Sequence, residues 1–276
     1  MNFSLPAAIE RLPRQKTRLI AACRVGEAEP DVIGMAIAGS FVEGTPDSYS
    51  DLDLRVVVKD GSFERLFHRR EDFARACGPL IAAFTGEHVG EPHLLITLYD
   101  DLIHVDYLFV DLAEAPTRNG GRAVQVMWQR DPRVTEALSR RVRTDPAADL
   151  AYLEARVWTW TWYIQSKILR GELWEAAAGL AMIREAALFR LLTLRRGIRY
   201  RGSRFAEQVV GEYAAALNST LSSLDRGSLL EALRTAVKLY LELADPLLEQ
   251  HGVARADRAR SVVLDALAAG LDWFAS

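Results

Sequence analysis

GSFVEGTPDSYSDLDLRVVV, residues 39–58, sets two aspartates at the mouth of an apolar run. The run LRVVV reads as a buried strand, and strand side chains alternate between faces. Asp51 and Asp53 therefore point one way while Leu52 and Leu54 point the other. Two like charges side by side on a half-buried surface are costly unless something positive lies nearby. A hard divalent cation meets that need, since Mg²⁺ takes one or two protein carboxylates and leaves its other positions to water and phosphate oxygens. Upstream, Gly39-Ser40 closes another apolar run, VIGMAIAG at 32–39. A glycine there lets the backbone approach a ligand closely, and the Ser40 hydroxyl can hydrogen-bond a phosphate.

A third acid lies further along. Asp106 sits in HVDYLFV with apolar residues on both sides, on a strand expected to join the same sheet. His104, Leu108 and Val110 share its face, and a carboxylate in such a run needs a partner. A metal ion is one; pairing with His104 or Arg55 is the alternative.

Around these residues the first half of the chain alternates short apolar runs with turns rich in Gly, Pro and Asp. A helix is expected over about 6–23, strands over 32–39 and 51–58, and an amphipathic helix over 62–84. The last places Phe63, Leu66, Phe67, Phe73, Ala74 and Cys77 at helical spacings. Strands over 94–100 and 103–112 follow, joined at Asp100-Asp101 as a hairpin. The order β-β-α-β-β implies a mixed sheet with flanking helices. From about residue 147 helical periodicity takes over, with a break near Gly171 and further helices over about 228–250 and 259–274. The expected fold is α+β: a sheet domain over 1–145 followed by a helical bundle over 146–276. On the first long helix of the bundle, Arg156, Trp160, Tyr163, Lys167 and Arg170 step by three and four and form a stripe.

Composition excludes several classes. Of 276 residues, 50% are hydrophobic and 26% charged, a globular balance, and the net charge of −3 provides no global basic field for bulk nucleic-acid binding. The richest apolar window, AAAGLAMIREAALFRLL, carries Arg184, Glu185 and Arg190, which makes it a core helix and not a membrane span. No secretory leader is read at the N-terminus. The two cysteines, Cys23 and Cys77, show no metal-ligand spacing and read as reduced thiols of a cytoplasmic protein.

The order G-S, a spacer of about ten residues, D-x-D opening an apolar strand, then a lone acid in a later strand resembles the nucleotidyltransferase superfamily of DNA polymerase β. It is most similar to the small antibiotic-modifying branch, the aminoglycoside and lincosamide nucleotidyltransferases. The resemblance covers 39–54 and 104–110, and the domain order agrees over most of the chain. It implies a catalytic domain over 1–145 and a helical substrate- or nucleotide-clamping domain over 146–276. Asp51 and Asp53 would be metal ligands, and Gly39, Ser40 and Ser50 would contact the nucleotide phosphates. Asp106 would complete the metal site or act as general base on the acceptor hydroxyl. Lys167, from the helical half, would reach the β- and γ-phosphates. The implied cofactors are two Mg²⁺ ions with ATP or another NTP as co-substrate. The implied reaction moves AMP onto a hydroxyl of a small molecule such as an aminoglycoside or lincosamide, releasing pyrophosphate and conferring antibiotic resistance. No membrane partner is expected and nucleic acid is disfavoured by charge. The alternatives are nucleotidyl transfer to a protein or tRNA, or a non-catalytic nucleotide-binding or partner-binding protein of the same fold.

Other polar clusters have plainer readings. Glu87 and Glu91, in TGEHVGEPH, are an alternative base or a solvated loop. His88 and His93 lie five apart, with Gly90 and Pro92 between them, which rules out the helix of an H-E-x-x-H zinc pair. Both are read as loop residues. The cluster RRGIRYRGSR at 195–204 can hold a phosphate or RNA, with a solvated helix exit as the plainer reading.

Overall fold

The computed structural model describes residues 2–140, 145–204 and 206–270, and the chain divides into two compact units, Met1–Arg143 and Thr144–Ser276. The last four residues of the helix expected over 259–274 lie outside the described residues.

In the first unit the helix α1 (Pro13–Ala28) starts at a proline, which suits a first turn whose N–H would be unpaired in any case. Strand β1 (Val32–Ile37) follows, then the single turn α2 (Ser40–Glu43) and β2 (Leu52–Val58). Two short helices, α3 (Phe63–His68) and α4 (Arg70–Ala76), lead to β3 (Leu80–Gly86), β4 (Glu91–Tyr99) and β5 (His104–Asp111). The short α5 (Ala115–Arg118), β6 (Gln125–Gln129) and α6 (Arg133–Ser139) complete it. Among the described residues the strands form one six-stranded sheet in the order β3-β4-β5-β2-β1-β6. Only β2 and β5 run parallel among the paired strands; β1 pairs antiparallel with β2 and β6, and β4 with β3 and β5. The sheet is mixed, as the alternation of runs and turns implied.

Alternation along β2 and β5 sorts the side chains into two layers. Leu52, Leu54, Val56 and Val58 join Val105, Tyr107 and Phe109 in a core packed against α1, α3 and α4. Val57, Leu108 and Val110 face the other way, under Ala115 of α5 and Val134, Ala137 and Leu138 of α6.

Two expectations are corrected. The helix over 62–84 stops at Ala76, and residues 80–86 form the edge strand β3. Gly78-Pro79 explains this, because the residue before a proline is pushed out of the helical region and the chain leaves extended. On β3, Ile81 and Phe84 are exposed, so the apolar run that imitated a helix face is an edge strand with uncovered side chains. A strand not expected from the sequence, β6, pairs with β1 and closes the far side of the sheet.

The start of β1, the end of β2 and α3 are tied by one carboxylate. Asp31 accepts from Arg65 Nε at 2.8 Å and pairs with Lys59 Nζ at 2.7 Å, and both cations hold it below the usual carboxylate range. A carboxylate shifted down stabilises the fold above its unfolded value, and that stability is lost as pH falls through its lower folded value. Asp31→Asn is therefore expected to cost about 1 kcal/mol at pH 7, kept modest because the two cations are largely exposed to solvent. The difference from the parent should close as urea melts are taken below pH 4, and a pH-independent difference would remove the ionic account.

The second unit is helical: α7 (Pro146–Glu154), α8 (Val157–Arg170), α9 (Leu173–Ile183), a π-helical turn Arg184–Phe189 and α10 (Arg190–Arg195). The short α11 (Ala206–Val209) and α12 (Ala214–Asn218), the long α13 (Arg226–Gln250) and α14 (Asp257–Ala269) follow. Their apolar faces form one core in which Leu153, Ile164, Ile168, Leu233 and Leu243 are fully buried. Within it Glu154 is buried yet satisfied: it accepts from Trp158 Nε1 at 3.1 Å, Tyr240 Oη at 2.7 Å and the Ala256 N–H at 3.0 Å. A charge so enclosed is tolerable because each oxygen has donors. Among the described residues no helix is long and apolar enough to cross a membrane.

Candidate functional site

The parallel pairing of β2 with β5 assembles the carboxylates. In this register Asp53 stands directly beside Asp106, on the face opposite the α1 core. The two were separate features of the sequence; sheet formation makes them neighbours on one face, about 5 Å between strands. Asp51, half-buried, immediately precedes β2.

Gly39 closes the site from the β1 side. The Ala38 N–H donates to the Asp53 carbonyl at 2.8 Å, carrying the chain past the carboxylates into α2. Gly39 itself has φ 68° and ψ −149°, a region essentially reserved for glycine. A Cβ built there would lie 2.1 Å from Asp53 Oδ2, so glycine is required on two separate grounds. The next residue, Ser40, has a buried Oγ with no hydrogen-bond partner.

Asp106 has a protein neighbour. His104 Nε2 lies 3.1 Å from its Oδ1, so one of the two alternative partners is present. The contact is ionic in distance but not aligned as a hydrogen bond, because Oδ1 is buried and accepts none. Asp106 is the main cause that holds the His104 imidazole above its usual pKa, with partial burial opposing and the Asp51 and Asp53 charges adding to the rise. The imidazole thus senses all three carboxylates. Buried Arg55, the other alternative, donates to Asn119 Oδ1 at 3.3 Å and to the Leu54 carbonyl.

The donor set suits a hard cation. Carboxylates on adjacent strands, one of them with a buried Oδ1 beside the His104 imidazole, are oxygen ligands of the kind Mg²⁺ takes one or two at a time. A full protein cage is not formed: among the described residues no three His, Cys, Asp or Glu side chains converge on a metal position. Orphaned buried atoms also occur elsewhere, at Trp128 Nε1 and Asp111 Oδ1 for example. The site is marked by the coincidence of two such atoms, Ser40 Oγ and Asp106 Oδ1, with the Asp53–Asp106 pair and Gly39.

The remaining expected residues have partners of their own. Ser50 Oγ accepts from the Asp47 N–H at 2.9 Å and donates to Asp47 Oδ1 at 3.2 Å, so it braces the loop before β2. Lys167 belongs to the second unit, where its ammonium pairs with Glu172 at 2.7 Å and Glu175 at 3.2 Å and lies over the Tyr163 ring. Those carboxylates hold its pKa well above the usual lysine value. The expected stripe is interrupted: Arg156 precedes α8 and stacks on Tyr152, and Trp160 packs partly into the core. Glu91 pairs with Arg118 at 2.8 Å and Glu87 accepts from Thr85. His93 is corrected from loop to strand, since it lies in β4 against the rings of Phe63 and Phe67. In the basic cluster, Arg196 pairs with Glu212 at 3.3 Å and Arg195 lies over Tyr213.

One supporting residue had no sequence signal. Gln15, buried in α1, donates through Nε2 to the Ser48 and Ser50 carbonyls at 3.1 and 3.4 Å and pins the loop that delivers Asp51. A glutamine in an amphipathic helix looks ordinary until the loop is folded over it.

No family model and no curated protein sequence matches this chain. Among solved structures it is similar to an aminoglycoside 6-adenyltransferase from Bacillus subtilis, at 14% identity and a TM-score of 0.43 over 91% of this chain and 98% of that one. It is also similar to a nucleotidyltransferase-like protein from Exiguobacterium sibiricum 255-15, at 16% identity and a TM-score of 0.40 over 95% and 90% of the two chains. A third, a STING-associated CdnE c-di-GMP synthase from Capnocytophaga granulosa, matches at 14% identity and a TM-score of 0.29 over 83% and 81%. These likenesses are distant.

Proposed function

We propose that this chain is a nucleotidyltransferase that moves a nucleoside monophosphate, AMP from ATP, onto a hydroxyl of a small acceptor and releases pyrophosphate. The observation that carries this reading is the register that sets Asp53 beside Asp106, with Gly39 packed on the Asp53 carboxylate and an unsatisfied Ser40 hydroxyl next to it.

Asp51 and Asp53 would hold Mg²⁺, with Asp106 as a further ligand once its Oδ1 gives up the His104 contact. Bound there, Mg²⁺ supplies charge neutralisation at the transferring phosphate and the leaving pyrophosphate and lowers the pKa of the attacking hydroxyl. Ser40 Oγ donates to a phosphate oxygen, and the bare Gly39 backbone lets that phosphate come close. Asp106, if not a ligand, accepts the proton of the acceptor hydroxyl at a carboxylate oxygen. For Lys167 to meet the β- and γ-phosphates, its ammonium must exchange Glu172 and Glu175 for phosphate oxygens. The acceptor is a small hydroxylated molecule, with aminoglycosides and lincosamides as the first to try.

A second reading is nucleotide binding without catalysis. One pair of measurements separates them. Calorimetric titration with ATP is expected to show binding at least about tenfold tighter with Mg²⁺ than with EDTA; equal affinity removes the carboxylate metal site. A pyrophosphate-release screen of aminoglycosides, lincosamides and nucleoside-like acceptors against all four NTPs is expected to yield a productive pair. Mg²⁺-dependent binding with a silent screen supports the non-catalytic reading.

A further inference from the structure

Away from the carboxylates, the helical unit contains a cation with no counter-charge among the described residues. Arg184 opens the π-helical turn, and its Nη1 donates to the Thr220 carbonyl at 2.8 Å. Among the described residues it has no other hydrogen bond and no carboxylate within ion-pair distance. Partial burial pulls its pKa down, with no opposing charge to restore it. A guanidinium keeps its proton regardless, so the charge stays and is poorly solvated.

Arg184 lines a cavity of about 200 Å³ together with Phe189, Val210, Leu217, Asn218 and Leu221. The π turn accounts for the first two being together. Its hydrogen-bonding repeat spans five residues, which stacks positions 184 and 189 on one side of the helix, where an α-helix would turn them apart. The walls are therefore apolar around one half-buried cation. Glu207, which also lines the cavity, is exposed to solvent, where its charge is screened.

We propose that this cavity binds a small molecule with one carboxylate or phosphate-monoester head on a short apolar body. The head pairs with the Arg184 edge not used by Thr220, where planar N–H donors match two oxygens. The body lies against Phe189, Val210, Leu217 and Leu221. The space is about 200 Å³ and partly open, which suits a short chain. The site is independent of the nucleotidyl-transfer reading and neither uses nor requires its residues.

The test is calorimetry on the full chain with hexanoate, hexyl phosphate and hexanol. At least one of the two anions is expected to bind, the tighter naming the preferred head, and hexanol is expected not to bind in the same range. Arg184→Gln is expected to weaken the anion by about tenfold or more. Because that variant can lose the Thr220 bond and with it stability, Leu221→Glu serves beside it. Leu221 is 61% exposed, so the change should leave the melting temperature in place and weaken the anion by charge repulsion at low salt. The proposal is overturned if neither anion binds, if hexanol binds as tightly, or if a folded variant keeps the parent affinity.

Discussion

Asp53→Asn is expected to lower pyrophosphate release by about a hundred- to a thousandfold, the scale on which preorganised charge at a transferring group acts. The folded state should not suffer. Asp53 stands beside Asp106 in the β2–β5 register, near Asp51, so removing one charge relieves repulsion on that face. An asparagine has the same shape, so Gly39 still fits against it. Melting temperature should match or slightly exceed the parent while Mg²⁺-dependent ATP affinity collapses. Turnover at the parent rate in this variant would take Asp53 out of the chemistry altogether. A variant that melts far earlier would make the carboxylate a structural group. Stability and activity must therefore be measured on the same preparation.

Gly39→Ala is the second large effect, and it acts through the backbone. At φ 68° and ψ −149° an alanine is strained by about 1–3 kcal/mol before any contact is counted. Its methyl would then meet Asp53 Oδ2 at 2.1 Å, so either the carboxylate rotates away or the chain from β1 into α2 moves. Either response spoils the geometry at Ser40 and Asp53 together. Loss of activity comparable to Asp53→Asn is expected, with a fall in melting temperature of several degrees. Gly44→Ala is the control. It also has positive φ, at 81°, but nothing lies within 4 Å of its would-be Cβ, so it should cost stability and leave turnover unchanged. Equal activity losses in the two variants would trace the effect to strain in α2, not to the approach of Gly39 to Asp53.

The two variants test different things. Asp53→Asn removes a charge and keeps the shape, whereas Gly39→Ala keeps the charges and displaces one of them. A metal–phosphate site should be sensitive to both. A carboxylate cluster with only a structural role should tolerate the first and respond to the second.

Local sequence determined much of this protein. Alternation in DLDLRVVV was enough to place Asp53 on the face opposite Leu52 and Leu54, because the period of two is a property of the strand itself. The same applies to the change from turn-rich runs to helical periodicity near residue 145, since amphipathic spacing is read from neighbours three and four residues away. What the local pattern could not distinguish was a helix face from an exposed edge strand. Leu80-Ile-Ala-Ala-Phe satisfies both, and only Gly78-Pro79 hints at the break.

Only the tertiary structure decided which acids meet. Asp53 and Asp106 become neighbours through a parallel pairing, which no hairpin can supply and whose register depends on burying both strands' apolar faces at once. The same long-range packing set Gln15 under the loop before Asp51, whereas His104 reaches Asp106 by alternation along one strand. The pull of a strand's own alternation reaches a residue or two. The choice of neighbouring strand, and so of the third carboxylate, belongs to the folded sheet.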